Sequence, residues 1–284
     1  MKITVSSGKG GTGKTTVSVN LAAYLSEKSK VVLTDLDVEE PNSGIFIKGR
    51  LLNREQKFKA VPEWNSGKCA QNEVCRDICR FNAIVKLGKE VIIYPELCHS
   101  CYACVELCPS NAFQMKNSPI GEISHFENGK ISFVEGNLDI GQEQAVPLIL
   151  QTKEYVDNNF NGEFIKIFDS PPGTSCPVIE AIKNTDYLIL VSESTPFGLH
   201  DLKLAYEVVR QLDINTGVII NRWGIGDESV EQFCIENNLP VIARIPNSRK
   251  IAEYYSSGQL VYDKIAEYRR ELEKIEKHVM ELAV

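Results

Sequence analysis

The sequence predicts an α/β fold: a mainly parallel sheet covered by helices on both faces, interrupted by a small α+β insertion. Apolar strand-like runs alternate with helix-length segments in residues 1–44 and again in 138–284, while residues 45–137 lose that rhythm. Seven of the nine cysteines crowd between Cys69 and Cys108, inside the interruption. A chain of 284 residues is long enough for one large domain plus such an insertion.

The first strand, Ile3 to Ser7, runs into Gly8-Lys9-Gly10-Gly11-Thr12-Gly13-Lys14-Thr15-Thr16 and then an apolar-periodic helix to Ser26. This is the full GxxxxGK[ST] pattern of a P-loop NTPase in its strand-loop-helix context. Its glycines let successive backbone N–H groups turn toward phosphate oxygens, and the helix opening at Lys14 adds its positive end. Lys14 brings a point charge to the β- and γ-phosphates, and the Thr15 hydroxyl is placed to ligate Mg²⁺. Lys9 is redundant within one subunit, but it is placed to reach the phosphates of a second subunit docked face to face.

Val31 to Thr34 reads as a buried strand ending in Asp35 and Asp37, where a carboxylate holds Mg²⁺ through water or orients the attacking water. Within the interruption, Lys57–Val61 and Glu90–Tyr94 read as short strands, and Glu127-Asn-Gly-Lys130 reads as a hairpin turn. A helix near 143–158 and the strand Phe164–Phe168 follow, ending in Asp169-Ser-Pro-Pro-Gly-Thr174. Asp169 sits where a Walker B carboxylate belongs, and the Gly173 N–H is available to a γ-phosphate. Tyr187–Val191, a helix near 199–212, Gly217–Ile220, a helix near 228–238 and Val241–Ile245 complete the alternation. Asn221, just past a strand, is a candidate for reading adenine, or else caps a turn. The last segment repeats apolar residues at Val261, Ile265, Tyr268, Leu272, Ile275, Val279 and Leu282. Packing on its own domain, pairing with a partner and lying on a membrane all use such a face.

The second cysteine run is Cys98-x₂-Cys101-x₂-Cys104-x₃-Cys108-Pro109, which matches the bacterial ferredoxin pattern. Zinc is the rival occupant, but zinc ribbons separate their paired cysteines by a longer loop. The first run keeps the register as Cys69, Cys75 and Cys79, with Asn72 where the second ligand belongs. Crossing the fourth cysteines gives Cys98, Cys101, Cys104 and Cys79 to one 4Fe-4S cluster. Cys69, Cys75 and Cys108 remain for the other, with Asn72 at its fourth corner. An amide is a poor iron ligand, so that site is a 3Fe-4S centre, a 4Fe-4S centre with an open or water-ligated iron, or often empty. Cys176 lies near a helix start and Cys234 on a helix; both also read as core thiols.

The loop KGGTGKTT resembles the deviant Walker A loop of the MinD/Mrp/nitrogenase-iron-protein group of dimeric ATPases, and DSPPGT resembles its switch II. The whole chain resembles MinD/Mrp-like P-loop ATPases that carry an inserted two-cluster ferredoxin domain, which would make residues 45–137 a ferredoxin-like insertion. That resemblance implies ATP and Mg²⁺ as ligands and a homodimer in which Lys9 acts across the interface. It also implies a switch I aspartate at Asp37 and adenine-side positions at Asn221 and Pro246. In the nitrogenase iron protein a cysteine in the switch matching Cys176 ligates a cluster between subunits.

The expectation drawn from these motifs is an ATPase whose nucleotide-driven dimer switch governs electron transfer by its clusters to a redox partner. Two alternatives stand beside it: a carrier that delivers a cluster to an apo iron-sulfur protein, and a positioning or scaffold ATPase whose clusters are structural. A net charge of −7 without a dense Lys/Arg cluster argues against nucleic acid. No apolar run approaches a membrane span, and Met1-Lys2 leads straight into a strand, so the cytoplasm is the expected location.

Overall fold

The computed structural model describes residues 1–70 and 74–281. In chain order, β1 (Lys2–Ser6), α1 (Lys14–Leu25) and β2 (Lys30–Asp35) are followed by a long strand, β3 (Arg50–Trp64). A small unit of α2 (Val74–Ile78), β4 (Ile84–Leu87), β5 (Glu90–Ile93) and α3 (Ala103–Glu106) comes next. The chain returns along β6 (Phe113–Asn128) and turns into β7 (Ile131–Leu138). It then alternates through α4 (Ala145–Asn159), β8 (Phe164–Asp169), α5 (Cys176–Ile182), β9 (Tyr187–Glu193), α6 (Pro196–Arg210) and β10 (Thr216–Trp223). The last elements are α7 (Ser229–Glu236), β11 (Val241–Pro246), α8 (Arg249–Ser256) and α9 (Ala266–Glu281).

Among the described residues one sheet runs in the order β11-β10-β9-β1-β8-β2-β7-β6-β3. Every neighbouring pair from β11 to β7 is parallel, and β6 and β3 extend the sheet antiparallel. The central strands are continuously apolar because helices cover both faces. On one face Ile3, Val5, Leu33, Ile167 and Ile189 meet α1 and α9. On the other, Val32, Val134 and Phe168 meet α4, while Leu188, Leu190 and Val218 meet α5, α6 and α7.

The sheet places the edge of the nucleotide fold differently from the loss of rhythm in the sequence. β7, inside residues 45–137, pairs with β2 from Val31↔Ile131 to Asp35↔Glu135, and β6 and β3 build outward from it. What departs from the sheet is the shorter stretch between Trp64 and Phe113. β3 escaped notice beyond Lys57–Val61 because its first half is charged and exposed on an outer strand, unlike a buried parallel one. The turn after Asn128 is a tight hairpin, with Gly129 at φ +58° and Asn128 opposite Ile131.

The apolar repeat near the end of the chain packs on its own domain. Tyr268, Leu272, Ile275 and Val279 are buried along α9 against α1 and the sheet. Val261 and Ile265 precede the helix, and Leu282 lies outside the described residues. No described helix is long and apolar enough to cross a membrane.

Candidate functional site

The loops at the carboxyl ends of β1, β2, β8, β10 and β11 surround a cavity of about 430 Å³. Gly10, Gly11, Gly13, Lys14, Thr15 and Thr16 form one wall, with Asp37 and Pro172 beside them. Asn221, Arg222, Pro246 and Asn247 continue the lining, with Ile251, Ala252 and Tyr255 of α8. Ligands of open parallel sheets bind at this end of the strands.

Gly13 is required twice over. Its φ of +95° is left-handed, and a Cβ there would meet the Asn221 amide nitrogen at 2.3 Å. That amide donates to the Thr12 carbonyl at 2.7 Å, so the end of β10 braces the phosphate loop directly.

Lys14 is buried at the start of α1, and burial pulls its pKa down, opposed by the carboxylates of Asp169, Asp37 and Asp35. Burial, reinforced by Asp35, lifts Asp37 to about 6. Asp169 is also pushed up, by burial first and by Asp35 second, with Thr15, Lys14 and Ser18 pulling the other way. Three carboxyl groups thus crowd one lysine, an arrangement suited to added positive charge. Thr15 touching Asp169, with Asp37 on the same cavity, fits a Mg²⁺ site.

Asp35 has a different task. Its Oδ1 accepts the Asp37 N–H at 3.0 Å, and its Oδ2 accepts those of Asn42 and Ser43 at 2.9 Å each. It shapes the loop that carries Asp37. The Ser43 hydroxyl donates to Asp169 Oδ2 at 3.2 Å, and Ser18 donates to Oδ1 at 3.0 Å. The loop after β2 and the end of β8 are therefore hydrogen-bonded to each other.

Gly8, Lys9, Thr12, Asp169 and Gly173 do not line the cavity. The Lys9 ammonium lies 3.7 Å from Asp201 and 3.8 Å from Glu193, turned away from its own phosphate loop. The Gly173 N–H donates to the Ser7 carbonyl at 3.1 Å, so in this conformation it faces the chain and not a γ-phosphate. Arg222, Tyr255 and Ile251 had no spacing signal in the sequence; they follow only from the placement of β10 and α8.

The cysteines fall into two groups. Cys79, Cys98, Cys101 and Cys104 line one small cavity with Phe81, Ala83 and His99. Cys69 and Cys108 lie close enough to Cys75 to raise its pKa further, after burial as the main cause. Backbone N–H groups reach sulfurs in both groups, among them Ser100 to Cys98 at 3.4 Å and Ala112 to Cys108 at 3.3 Å. Asn72 lies outside the described residues. Among the described residues no three His, Cys, Asp or Glu side chains form a group that would hold a single metal ion. Cys176 is exposed at the start of α5, and Cys234 is buried in the core.

The family model for the CobQ/CobB/MinD/ParA nucleotide-binding domain matches residues 3–261. The chain is 34% identical over 280 residues to the uncharacterized protein MJ0579 of Methanocaldococcus jannaschii, covering 96% of each chain. It resembles the septum site-determining protein MinD of Pyrococcus horikoshii, solved with Mg-ADP, at a TM-score of 0.60 and 19% identity, over 99% of this chain and 96% of that one. The cell division ATPase MinD of Pyrococcus furiosus gives 0.58 and 18%, over 97% and 98%.

These findings overturn the expectation that nucleotide turnover drives electron transfer by bound clusters to a redox partner. The matching family is a nucleotide-binding domain, and the similar folds are those of division-site proteins rather than electron carriers. With its model matched over residues 3–261, this chain belongs to the CobQ/CobB/MinD/ParA nucleotide-binding family.

Proposed function

We propose that this chain is an ATP-hydrolysing switch of the positioning or scaffold kind, acting in the cytoplasm as a homodimer. Residues 1–44 and 138–284, with β7 beside β2, form its ATPase domain, and the stretch between Trp64 and Phe113 within 45–137 holds iron-sulfur clusters as fixed structural groups. The observation that carries this reading is the cavity in which the phosphate loop, Asp37, Asn221 and Pro246 converge, in a chain of this family.

In this reading Gly8 to Thr16 bind the phosphates, with the Lys14 ammonium on the β- and γ-oxygens. Asn221 and Pro246 flank the adenine. Thr15, with Asp37 and Asp169 acting through water, would hold Mg²⁺, which neutralises developing phosphate charge when bound. Lys9, paired only loosely with Asp201 and Glu193, is released to the nucleotide of a second copy on dimerisation. The hydrogen bonds from Ser43 to Asp169 and from Gly173 to Ser7 are those that a γ-phosphate would rearrange.

Cys79, Cys98, Cys101 and Cys104 around one cavity fit a 4Fe-4S cluster, which would tie β3, the segment after α2 and α3 together. Cys69, Cys75 and Cys108 would hold a second cluster, of 3Fe-4S or 4Fe-4S type.

The test is made on anaerobically purified protein. Mg-ATP is expected to double the mass seen by light scattering, Lys9→Ala is expected to abolish that doubling, and ATP turnover should be equal in oxidised and dithionite-reduced samples. A several-fold change in turnover on reduction would sink the positioning reading. Absence of ATP hydrolysis would sink the switch itself.

A further inference from the structure

Lys59 lies on β3 and is only 3% exposed. Its ammonium donates to the Cys98 carbonyl at 3.3 Å and to the Glu96 carbonyl at 3.5 Å. Among the described residues it forms no ion pair; the carboxylates of Glu96 and Glu143 act on it only from beyond bonding distance. A buried ammonium needs a compensating negative charge close by, and two carbonyl dipoles supply only part of one.

The neighbouring residues of the strand show what Lys59 stands beneath. The Ser100 hydroxyl donates to the Ala60 carbonyl at 2.6 Å, and Val61 packs with Cys98, Cys79 and Ala83. Three consecutive residues of β3 therefore carry the loop that runs from Cys98 to Cys101, with the only cation among them buried at its base. Four cysteine sulfurs line one cavity, and they become an anionic group on ligating a cluster, which this placement suits.

We propose that Lys59 is the counter-cation of the four-thiol site: a positioning residue that holds the Cys98–Cys101 loop and offsets the negative charge of a cluster bound there. The proposal rests on the reading that Cys79, Cys98, Cys101 and Cys104 hold a cluster. A fixed positive charge beside such a group favours its reduced form and its retention.

The experiment uses the full chain reconstituted anaerobically with ferrous iron and sulfide, as wild type, Lys59→Gln, Lys59→Arg and Cys101→Ser. Glutamine keeps an amide donor on a shorter side chain but carries no charge, and arginine keeps the charge. Lys59→Gln is expected to move the EPR-monitored reduction potential to a more negative value. It should also speed iron loss to a chelator by on the order of ten- to a hundredfold. Lys59→Arg should stay close to wild type. The iron-free Lys59→Gln chain should melt no lower than iron-free wild type, because a buried charge has been removed.

An unmoved potential and iron-loss rate in Lys59→Gln overturns the proposal, as does an equal change in Lys59→Arg. Destabilisation of the iron-free chain matching that of the loaded one makes Lys59 merely structural and overturns it too. If Lys59→Gln does not fold, Lys59→Met is read by the same measures. A wild-type chain that takes up no iron and sulfide, or an unchanged cluster in Cys101→Ser, sinks the cluster reading and this proposal together. Uptake with a silent lysine sinks this proposal alone.

Discussion

β9 is buried at every residue from Tyr187 to Glu193, whereas the hairpin of β4 and β5 buries Ile84 and leaves Leu87 60% exposed. The sheet core is made of aliphatic side chains closed from both faces. The cluster around Ile84, in contrast, is built from Cys75, Cys104, Ala112 and Phe113, with further thiols at its margin. The nucleotide half carries its shape in its own apolar packing. The insertion has a smaller core, in which thiols take the place of aliphatic side chains.

That contrast breaks or sharpens under four changes. The largest expected effect is in the sheet: Leu33→Ala should cost about 2–5 kcal/mol of unfolding free energy. Leu107→Ala, at a residue 59% exposed in the insertion, should stay within about 0.5 kcal/mol. Denaturant titration reads both, and equal costs would erase the contrast. Next, Lys14→Ala should lower phosphate release by on the order of a hundred- to a thousandfold while leaving the insertion's iron content unchanged. A loss under tenfold would remove Lys14 from the phosphate site.

Third, on the proposal that the insertion's thiols hold clusters, stripping iron with a chelator should open the stretch between Trp64 and Phe113 to limited proteolysis while the sheet fragments stay associated. Cleavage first in the loops between β8 and β11 would reverse the comparison. The smallest effect concerns His125, on β6 within the sheet layer, where it packs against Tyr155 and Phe160. Burial lowers its pKa below 6.5, so between that lowered value and 6.5 the unfolded chain binds more protons. Stability therefore rises with pH across that window and falls as pH drops below 6.5. The midpoint difference between pH 7.5 and pH 5.5 should shrink in His125→Gln, and an unchanged difference would exclude His125 as the source.

The parts of this molecule legible in the sequence are those where chemistry fixes residue type at fixed offsets. Gly8 to Thr16 spelled out a strand-loop-helix turn, and the polar stop at Asp169 after Phe164–Phe168 marked the end of a buried strand. The floor of the cavity was not legible. Arg222 lies one residue past Asn221, but Tyr255 and Ile251 reach the site from α8, whose position depends on how β11 joins the sheet. β3 beyond Lys57–Val61, and β6 beyond its hairpin turn, went unread for a related reason: an outer antiparallel ribbon tolerates the charges that a buried strand excludes. Lys59 shows the same limit at one residue. It stands 39 residues before Cys98, and only the pairing of β3 brings it beneath that loop.

The last helix also sets an order of events during synthesis. The Asn20 side chain of α1 accepts the N–H groups of Val261 and Tyr262, the first of them 241 residues further along the chain. The Tyr268 hydroxyl donates to the Thr16 carbonyl across 252 residues. The helix that presents the phosphate loop is thus made 241 residues before the segment that begins its covering layer. Until those residues follow, a growing chain holds the nucleotide loop on a half-dressed helix, and ATP binding competence should appear only once the codons for α9 have been read.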